Sequence, residues 1–373
     1  MEAIFDSKTL FATMVAHKAS DMFLKPDSIP TMKVSGTIQP LGNQKVTVEI
    51  MKKVFEEITS PEQRKIFEHK NELDTAYEVF GVGRFRANIF KQRGNVGMVF
   101  RYVQSNIPAL DKLKMPAAQL QKLILSPRGL VLVTGTAGSG KSSTIASMLS
   151  YVNQTVPKHI ITIEDPIEYL FIEDKAVFDQ REVGIDTDSF ATALKYCLRQ
   201  APDIIMIGEM RDKTTMDAAI GAAETGHLVI STLHSLNAYQ TVERILNFYP
   251  PHEHTFLRQQ MSLLLMGCIS QRLLPRLDGQ GVVPAVELML TTPTVKELLS
   301  EGKTRELYKA IYDGSKYYGT QTFNQSLRSL YQEGLISLES ALAAADNPDE
   351  LKLEIRGIVK GSQQSGGDFN FKI

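Results

Sequence analysis

The 373-residue chain carries 41 Lys and Arg against 42 Asp and Glu, is 43% hydrophobic, and has 2 Cys and no Trp. That length fits two or three domains with sizeable cores, and a net charge of −1 excludes a chain that coats nucleic acid or an anionic membrane by bulk electrostatics. Cys197 and Cys268 stand far apart with no C-x-x-C pair, which excludes a zinc or dithiol motif and is expected of a reducing compartment.

From Met1 to Met22 the apolar residues are interrupted by Glu2, Asp6, Lys8, His17, Lys18 and Asp21, so the segment lacks the apolar core of a signal peptide. Leu10, Phe11, Met14 and Val15 recur at helical spacing and predict an amphipathic helix over Ser7–Lys18. Short strands are expected at Asp21–Lys25 and Thr31–Leu41, the second folded into a hairpin at Ser35-Gly36. Thr47–Lys70 returns to helical spacing, broken where Ser60 caps a new helix with Pro61 at its first position. Strands follow at Thr75–Phe80, Arg84–Phe90 and Val96–Val103, separated by Gly81-Val82-Gly83 and a Gly94 turn. Helices plus an antiparallel sheet make residues 1–104 an α+β domain.

Residues 105–116, with Pro108 and Pro116, are expected to be a linker into a second domain spanning 117–360. A helix at Ala117–Leu125 stops at Ser126-Pro127. Four apolar runs, Leu130–Val133, Ile160–Ile163, Ile204–Ile207 and Leu228–Ile230, read as strands buried on both faces. Helical segments Ser142–Val152, Ser189–Arg199 and Lys213–Glu224 separate them, predicting a three-layer α/β domain with a largely parallel sheet. Beyond residue 240 the expectation is helical, with one helix over Thr255–Leu274 and shorter ones to about residue 360. The Gly/Ser/Gln-rich tail, 361–373, is expected to be disordered. The most apolar internal run, Leu263–Ile269, is far below the roughly 18 residues that span a bilayer.

The strongest chemical signal is Gly135-Thr136-Ala137-Gly138-Ser139-Gly140-Lys141-Ser142, followed by Ser143: a complete G-x-x-x-x-G-K-[ST] between a strand and a helix. Its glycines let backbone N–H groups wrap a phosphate chain at a helix N-terminus. Lys141 is expected to reach the β- and γ-phosphates of ATP, and Ser142 to hold Mg²⁺. Glu209, at the end of the strand Ile204–Ile207, is the candidate general base or water-positioning group; as the alternative it caps a helix or pairs with Arg211. Glu164 and Asp165 end another apolar strand and suit the Mg²⁺ shell or the attacking water, unless they are a plain strand exit before Pro166. His227 and His234 flank the fourth strand; either donates toward the γ-phosphate or is a satisfied structural histidine. His252 and His254 have no third ligand nearby and read as a surface loop.

In order and spacing, the P-loop, Ile163-Glu164-Asp165-Pro166-Ile167-Glu168, Gly208-Glu209-Met210-Arg211-Asp212 and Glu224-Thr225-Gly226-His227 resemble the Walker A, Asp, Walker B and His boxes of secretion ATPases. Over residues 1 to about 350 the chain is similar to the PilT/PilU retraction branch of type IV pili. Gln180–Asp186, Leu198–Asp203 and Gln321–Leu327 bring it closer to the PilU side. Assembly-type members typically carry a further N-terminal domain and a four-cysteine zinc motif, neither of which appears here. Departures are Thr136-Ala137 and Ser143 in the P-loop, and Thr294–Glu301 where PilT has an arginine-containing motif needed for retraction. The resemblance implies a PAS-like N-terminal domain followed by a RecA-like P-loop ATPase domain with a helical C-terminal part. By matching Gly83-Arg84-Phe85-Arg86 and Phe100-Arg101, it implies that Arg86 and Arg101, with Arg84 as an alternate, act as arginine fingers on a neighbour's nucleotide; as bare sequence they are outward strand residues. It further implies a homohexamer at the inner face of the bacterial inner membrane, driving pilus retraction through the platform protein. A companion PilT-like ATPase is a further implied partner, with this chain either the motor or an accessory to it.

Overall fold

The computed structural model describes residues 6–34 and 36–357; the tail 361–373 lies outside the described residues. Two compact units divide the chain. One comprises residues up to Asn106 together with Pro166–Ile172, and the other comprises Ile107–Asp165 with everything from Glu173 on.

The first unit follows its sequence pattern closely. Helix α1 (Ser7–Ala16) starts where the Asp6 carboxylate accepts from the Thr9 N–H at 2.9 Å. Strands β1 (Ala19–Leu24), β2 (Thr31–Val34) and β3 (Thr37–Pro40) precede helices α2 (Val48–Ile58) and α3 (Pro61–Lys70). The break between these helices is the expected one: Ser60 and Gln63 form a reciprocal capping box with Pro61 at the first turn. Strands β4 (Glu72–Val79), β5 (Gly83–Gln92) and β6 (Asn95–Tyr102) complete an antiparallel sheet of order β3-β2-β1-β6-β5-β4. Phe11 of α1 locks helix to sheet: its ring stacks on Phe85 at 4.3 Å and meets Phe100 edge-on at 4.9 Å, and all three are fully buried. Each such ring contributes about 1.5–3 kcal/mol of apolar burial. With Phe85 and Phe100 turned inward, the alternation along β5 and β6 puts Arg84, Arg86 and Arg101 on the opposite face. Arg86 pairs directly across from Arg101.

In the second unit, the stretch read as a linker carries a short 3-10 turn at Leu110–Leu113 and leads into α4 (Ala117–Ile124). Then come β7 (Gly129–Thr134), α5 (Lys141–Thr155), β8 (His159–Glu164), β9 (Val177–Glu182), α6 (Phe190–Cys197), β10 (Ile204–Ile207), α7 (Lys213–Glu224), β11 (Leu228–Leu233), α8 (Ala238–Leu246) and α9 (His254–Leu264). Strands β12 (Leu265–Pro275) and β13 (Val282–Leu290) follow, and then α10 (Pro293–Glu301), α11 (Leu307–Asp313), α12 (Ser315–Tyr318), α13 (Phe323–Gln332), α14 (Leu338–Ala344) and α15 (Pro348–Ile355). The sheet order is β13-β12-β7-β11-β10-β8-β9, parallel throughout except for β13. Every residue of β7, β10 and β11 is buried, as their unbroken apolar runs require.

The helix expected over Thr255–Leu274 is corrected: α9 ends at Leu264, and Leu265–Pro275 is a strand beside β7. Helix propensity of its Leu, Met and Gln residues is a weak preference, and the open ladder of β7 overrides it. Gly267 permits the close approach, because a Cβ there would lie 2.9 Å from the Met289 carbonyl and 3.1 Å from Leu123. Strand β9 carries no apolar run because it is a polar edge strand held by its ladder to β8. Both cysteines are buried, and burial pushes each thiol up to about 11, so neither is reactive. Among the described residues, no helix is long and apolar enough to cross a membrane.

Candidate active site

Parallel strands deliver their C-terminal loops to one sheet edge, and the candidate residues gather there in strand order: the P-loop after β7, His234 after β11, Glu209 after β10, and Glu164 at the end of β8. Gly135, at φ +148, turns the chain out of β7 where a Cβ would collide with Ser139 Oγ and lie 2.6 Å from the Gln271 carbonyl. Gly140, at φ +92, precedes α5 and no side chain caps it, so the first-turn N–H groups and the positive dipole end suit a phosphate. Thr136, Ala137, Gly138 and Ser142 are exposed at the rim, with Ser143 partly covered behind them and Ser139 buried. Lys141 is 8% exposed, and its Nζ donates to the carbonyls of Gly135 at 3.0 Å and Thr136 at 2.8 Å. Burial lowers its pKa while the nearby Glu209 charge raises it, with burial dominant.

Glu209 sits beside both Arg211, with which it is ion-paired, and His234, whose Nε2 lies 3.6 Å from its carboxylate. Glu209 thus pairs with Arg211 while standing at the sheet edge that carries the P-loop. Two hydrogen bonds brace this corner: Thr232 Oγ1 donates to the Gly208 carbonyl at 2.6 Å, and the Met210 N–H to the Thr232 carbonyl at 3.1 Å. Glu164 is buried and accepts from Thr162 Oγ1 at 2.7 Å and Gln180 Nε2 at 3.3 Å. It ends the third strand over from β7, a lateral offset of about 14 Å at the usual strand spacing. Asp165, next to it, is exposed, and its charge reaches Arg211. Ser142, Glu164 and Asp165 are hard oxygen donors of the kind Mg²⁺ takes.

His227 is not brought to this edge. Its carbonyl accepts the N–H of Gly129 at 3.0 Å, at the opposite end of β7, and seven residues of extended chain separate it from His234 by about 23 Å. Its Nδ1 instead meets the Ala222 carbonyl at 3.0 Å and Thr225 Oγ1 at 3.2 Å, closing the end of α7. In the other unit, Arg101 Nε donates to Asp21 at 2.8 Å, and Arg86 lies 4.0 Å from Glu168. His254 Nε2 meets the Tyr249 carbonyl at 2.9 Å, and among the described residues no three or more His, Cys, Asp or Glu side chains cluster as a metal site by themselves.

Residues not anticipated come from the hairpin misread as helix. Gln271 Nε2 donates to Thr144 Oγ1 at 2.9 Å on the P-loop helix, and Thr134 Oγ1 donates to Ser270 Oγ at 2.9 Å. Gly267–Gln271 is buried without interruption, so no alternation of apolar and polar residues marked this strand in the sequence.

Residues 8–344 match the Type II/IV secretion system protein family. The chain belongs to that family. It is 43% identical over 347 residues to the type IV pilus ATPase PilU of Pseudomonas aeruginosa, covering 93% of this chain and 90% of that one. It is 40% identical to the type IV pilus retraction ATPase PilT of the same organism, with 92% and 99% covered. A crystal structure of the pilus retraction motor PilT with bound ADP superimposes with a TM-score of 0.86 at 42% identity, covering 93% of this chain and 99% of that one. The fold is that of a secretion ATPase, and the chain is a P-loop ATPase of the PilT/PilU kind.

Proposed function

We propose that the chain is an ATP-driven motor of type IV pilus retraction, assembled as a homohexamer on the cytoplasmic face of the inner membrane and acting on the pilus platform protein. The observation that carries the reading is the corner where Glu209 stands beside His234 and within electrostatic reach of the P-loop Lys141. An ATPase needs little covalent chemistry from its protein, only placement and charge stabilisation. Lys141 binds the β- and γ-phosphates. Glu209 orients the attacking water and accepts its proton, and His234 donates toward the γ-phosphoryl oxygens as charge develops there.

Mg²⁺ would be held by Ser142 together with the phosphates, with Glu164 and Asp165 reaching its outer shell through water; bound there, it would screen the phosphate charge. His227 has no part in the same subunit's site. Arg86 and Arg101 serve a neighbour's nucleotide, for which their outward strand face is suited.

A second reading, an accessory that depends on a companion PilT-like ATPase, is favoured by the PilU likeness and by Thr294–Glu301, where Lys296 is the one basic residue. Retraction measured in a strain lacking this chain, complemented with wild type, Lys141→Ala or Glu209→Ala, with and without the companion, separates the two. A motor restores retraction by itself and loses it in both variants. Retraction that is unchanged by either variant overturns the motor reading.

A further inference from the structure

The loop that leaves β11 at His234 reaches α8 through only Ser235, Leu236 and Asn237, and it is held from two directions. From one side the carboxylate of Glu287, on β13, accepts the Ala238 backbone N–H at 2.7 Å. From the other, Ser235 Oγ and Thr241 Oγ1 are hydrogen-bonded at 2.7 Å, and Thr241 Oγ1 lies 2.8 Å from the Asn237 carbonyl, to which it donates. The ordinary capping of α8 is supplied separately by the Asn237 side chain, which accepts from the Gln240 N–H at 2.9 Å.

Glu287 is 2% exposed and lies in a strand whose neighbours Val286, Leu288 and Met289 are apolar and buried. An apolar side chain would fill that position more cheaply, since a buried carboxylate is costly unless hydrogen-bonded. What Glu287 supplies that Leu would not is an acceptor aimed at the His234 loop from 49 residues further along the chain.

The geometry points to Glu287 as a positioning residue of the ATPase site, which together with Thr241 fixes the loop that sets His234 against Glu209. The inference rests on the ATPase reading above. It acts through backbone: Ala238 N–H fixes the loop's exit, Thr241 its middle, and β11 its entry, so that His234 keeps its 3.6 Å approach to Glu209. Freeing the exit lets the imidazole drift, and a misplacement of about 1 Å in a catalytic group costs up to about 100-fold in rate.

The test uses the full-length protein with Glu287→Leu, Glu287→Gln and Thr241→Val, each alone and combined with His234→Ala. It reads kcat, the Kd of a fluorescent ATP analogue, and the thermal midpoint. Leu keeps the volume and loses the acceptor; Gln keeps the acceptor through its amide oxygen. The expected result is a roughly 10- to 100-fold fall in kcat for Glu287→Leu with Kd unchanged, near wild-type turnover for Glu287→Gln, and double variants no slower than His234→Ala alone. Wild-type kcat in Glu287→Leu, or losses that multiply with that of His234→Ala, overturns the inference. Should Glu287→Leu fail to fold, Thr241→Val carries the same comparison, and multiplicative loss there overturns it equally. A wild-type protein without ATP turnover that Lys141→Ala abolishes would instead remove the ATPase reading itself, and the inference with it.

Discussion

Two glycines of the P-loop isolate what the turn out of β7 requires. Both Gly135 (φ +148) and Gly138 (φ +74) occupy conformations that L-residues resist. A Cβ at Gly138 meets nothing within 4 Å, whereas one at Gly135 meets Ser139 Oγ and, at 2.6 Å, the backbone carbonyl of Gln271. Ser139 can turn aside, but the Gln271 carbonyl belongs to β12, whose neighbouring Ile269 and Ser270 pair with Val133 and Thr134 of β7. Moving it breaks part of that ladder. Gly138→Ala should therefore cost only the backbone strain, about 1 kcal/mol. Gly135→Ala adds an overpacking cost of about 1–3 kcal/mol to similar strain, for a total of about 2–4 kcal/mol. For a unit of this size each kcal/mol lowers the thermal midpoint by roughly 2–4 °C. Nucleotide-free scanning calorimetry should thus show a drop of about 2–4 °C for Gly138→Ala and at least twice that for Gly135→Ala. Equal drops, or a larger one for Gly138→Ala, would refute the argument from the Gln271 carbonyl.

Other substitutions probe separate parts of the account. Glu287 is pushed by burial from an ordinary 4.5 up to about 7, a gap worth about 3 kcal/mol at 1.36 kcal/mol per pH unit. Because the folded value is the higher, its contribution to stability is complete below pH 4.5 and is lost as pH rises through about 7. Thermal midpoints of Glu287→Gln should therefore gain on wild type between pH 5 and 8, and parallel curves would contradict this. Arg86→Ala should cost under about 1 kcal/mol in stability, because its ion pair is long and half-exposed. Arg101→Ala should cost more, since it strips the buried Asp21 of its cationic partner and leaves, among the described residues, only the Ser20 hydroxyl donating to it at 2.8 Å; chemical denaturation of the two variants gives the order. Ser60→Ala removes one half of the α3 capping box and should cost about 1 kcal/mol, a value that the same denaturation curves would show.

How far the sequence could be read depended on whether the signal was local. The P-loop, the Ser60-Pro61 break and the apolar strands β7, β8, β10 and β11 all announce themselves through residues adjacent in the chain. The hairpin β12–β13 does not, because Leu265–Pro275 becomes a strand only when β7 offers its free ladder. Gln271 and Glu287 were missed with it. His227 stands apart for a related reason: it lies seven residues from His234 in sequence, but the extended strand β11 between them sends the two to opposite edges of the sheet. Strand β9 is held by backbone pairing, and beyond Val177-Phe178 it is polar, so no apolar run announces it.

The central claim is that Glu209 does the chemistry at a nucleotide held by Lys141. Steady-state ATP hydrolysis with Mg²⁺, measured beside nucleotide binding for wild type, Lys141→Ala and Glu209→Gln, tests it most directly. The account predicts turnover in wild type, lost binding and turnover in Lys141→Ala, and retained binding with turnover reduced by about 10²–10⁴-fold in Glu209→Gln. Hydrolysis by Glu209→Gln at the wild-type rate would contradict it.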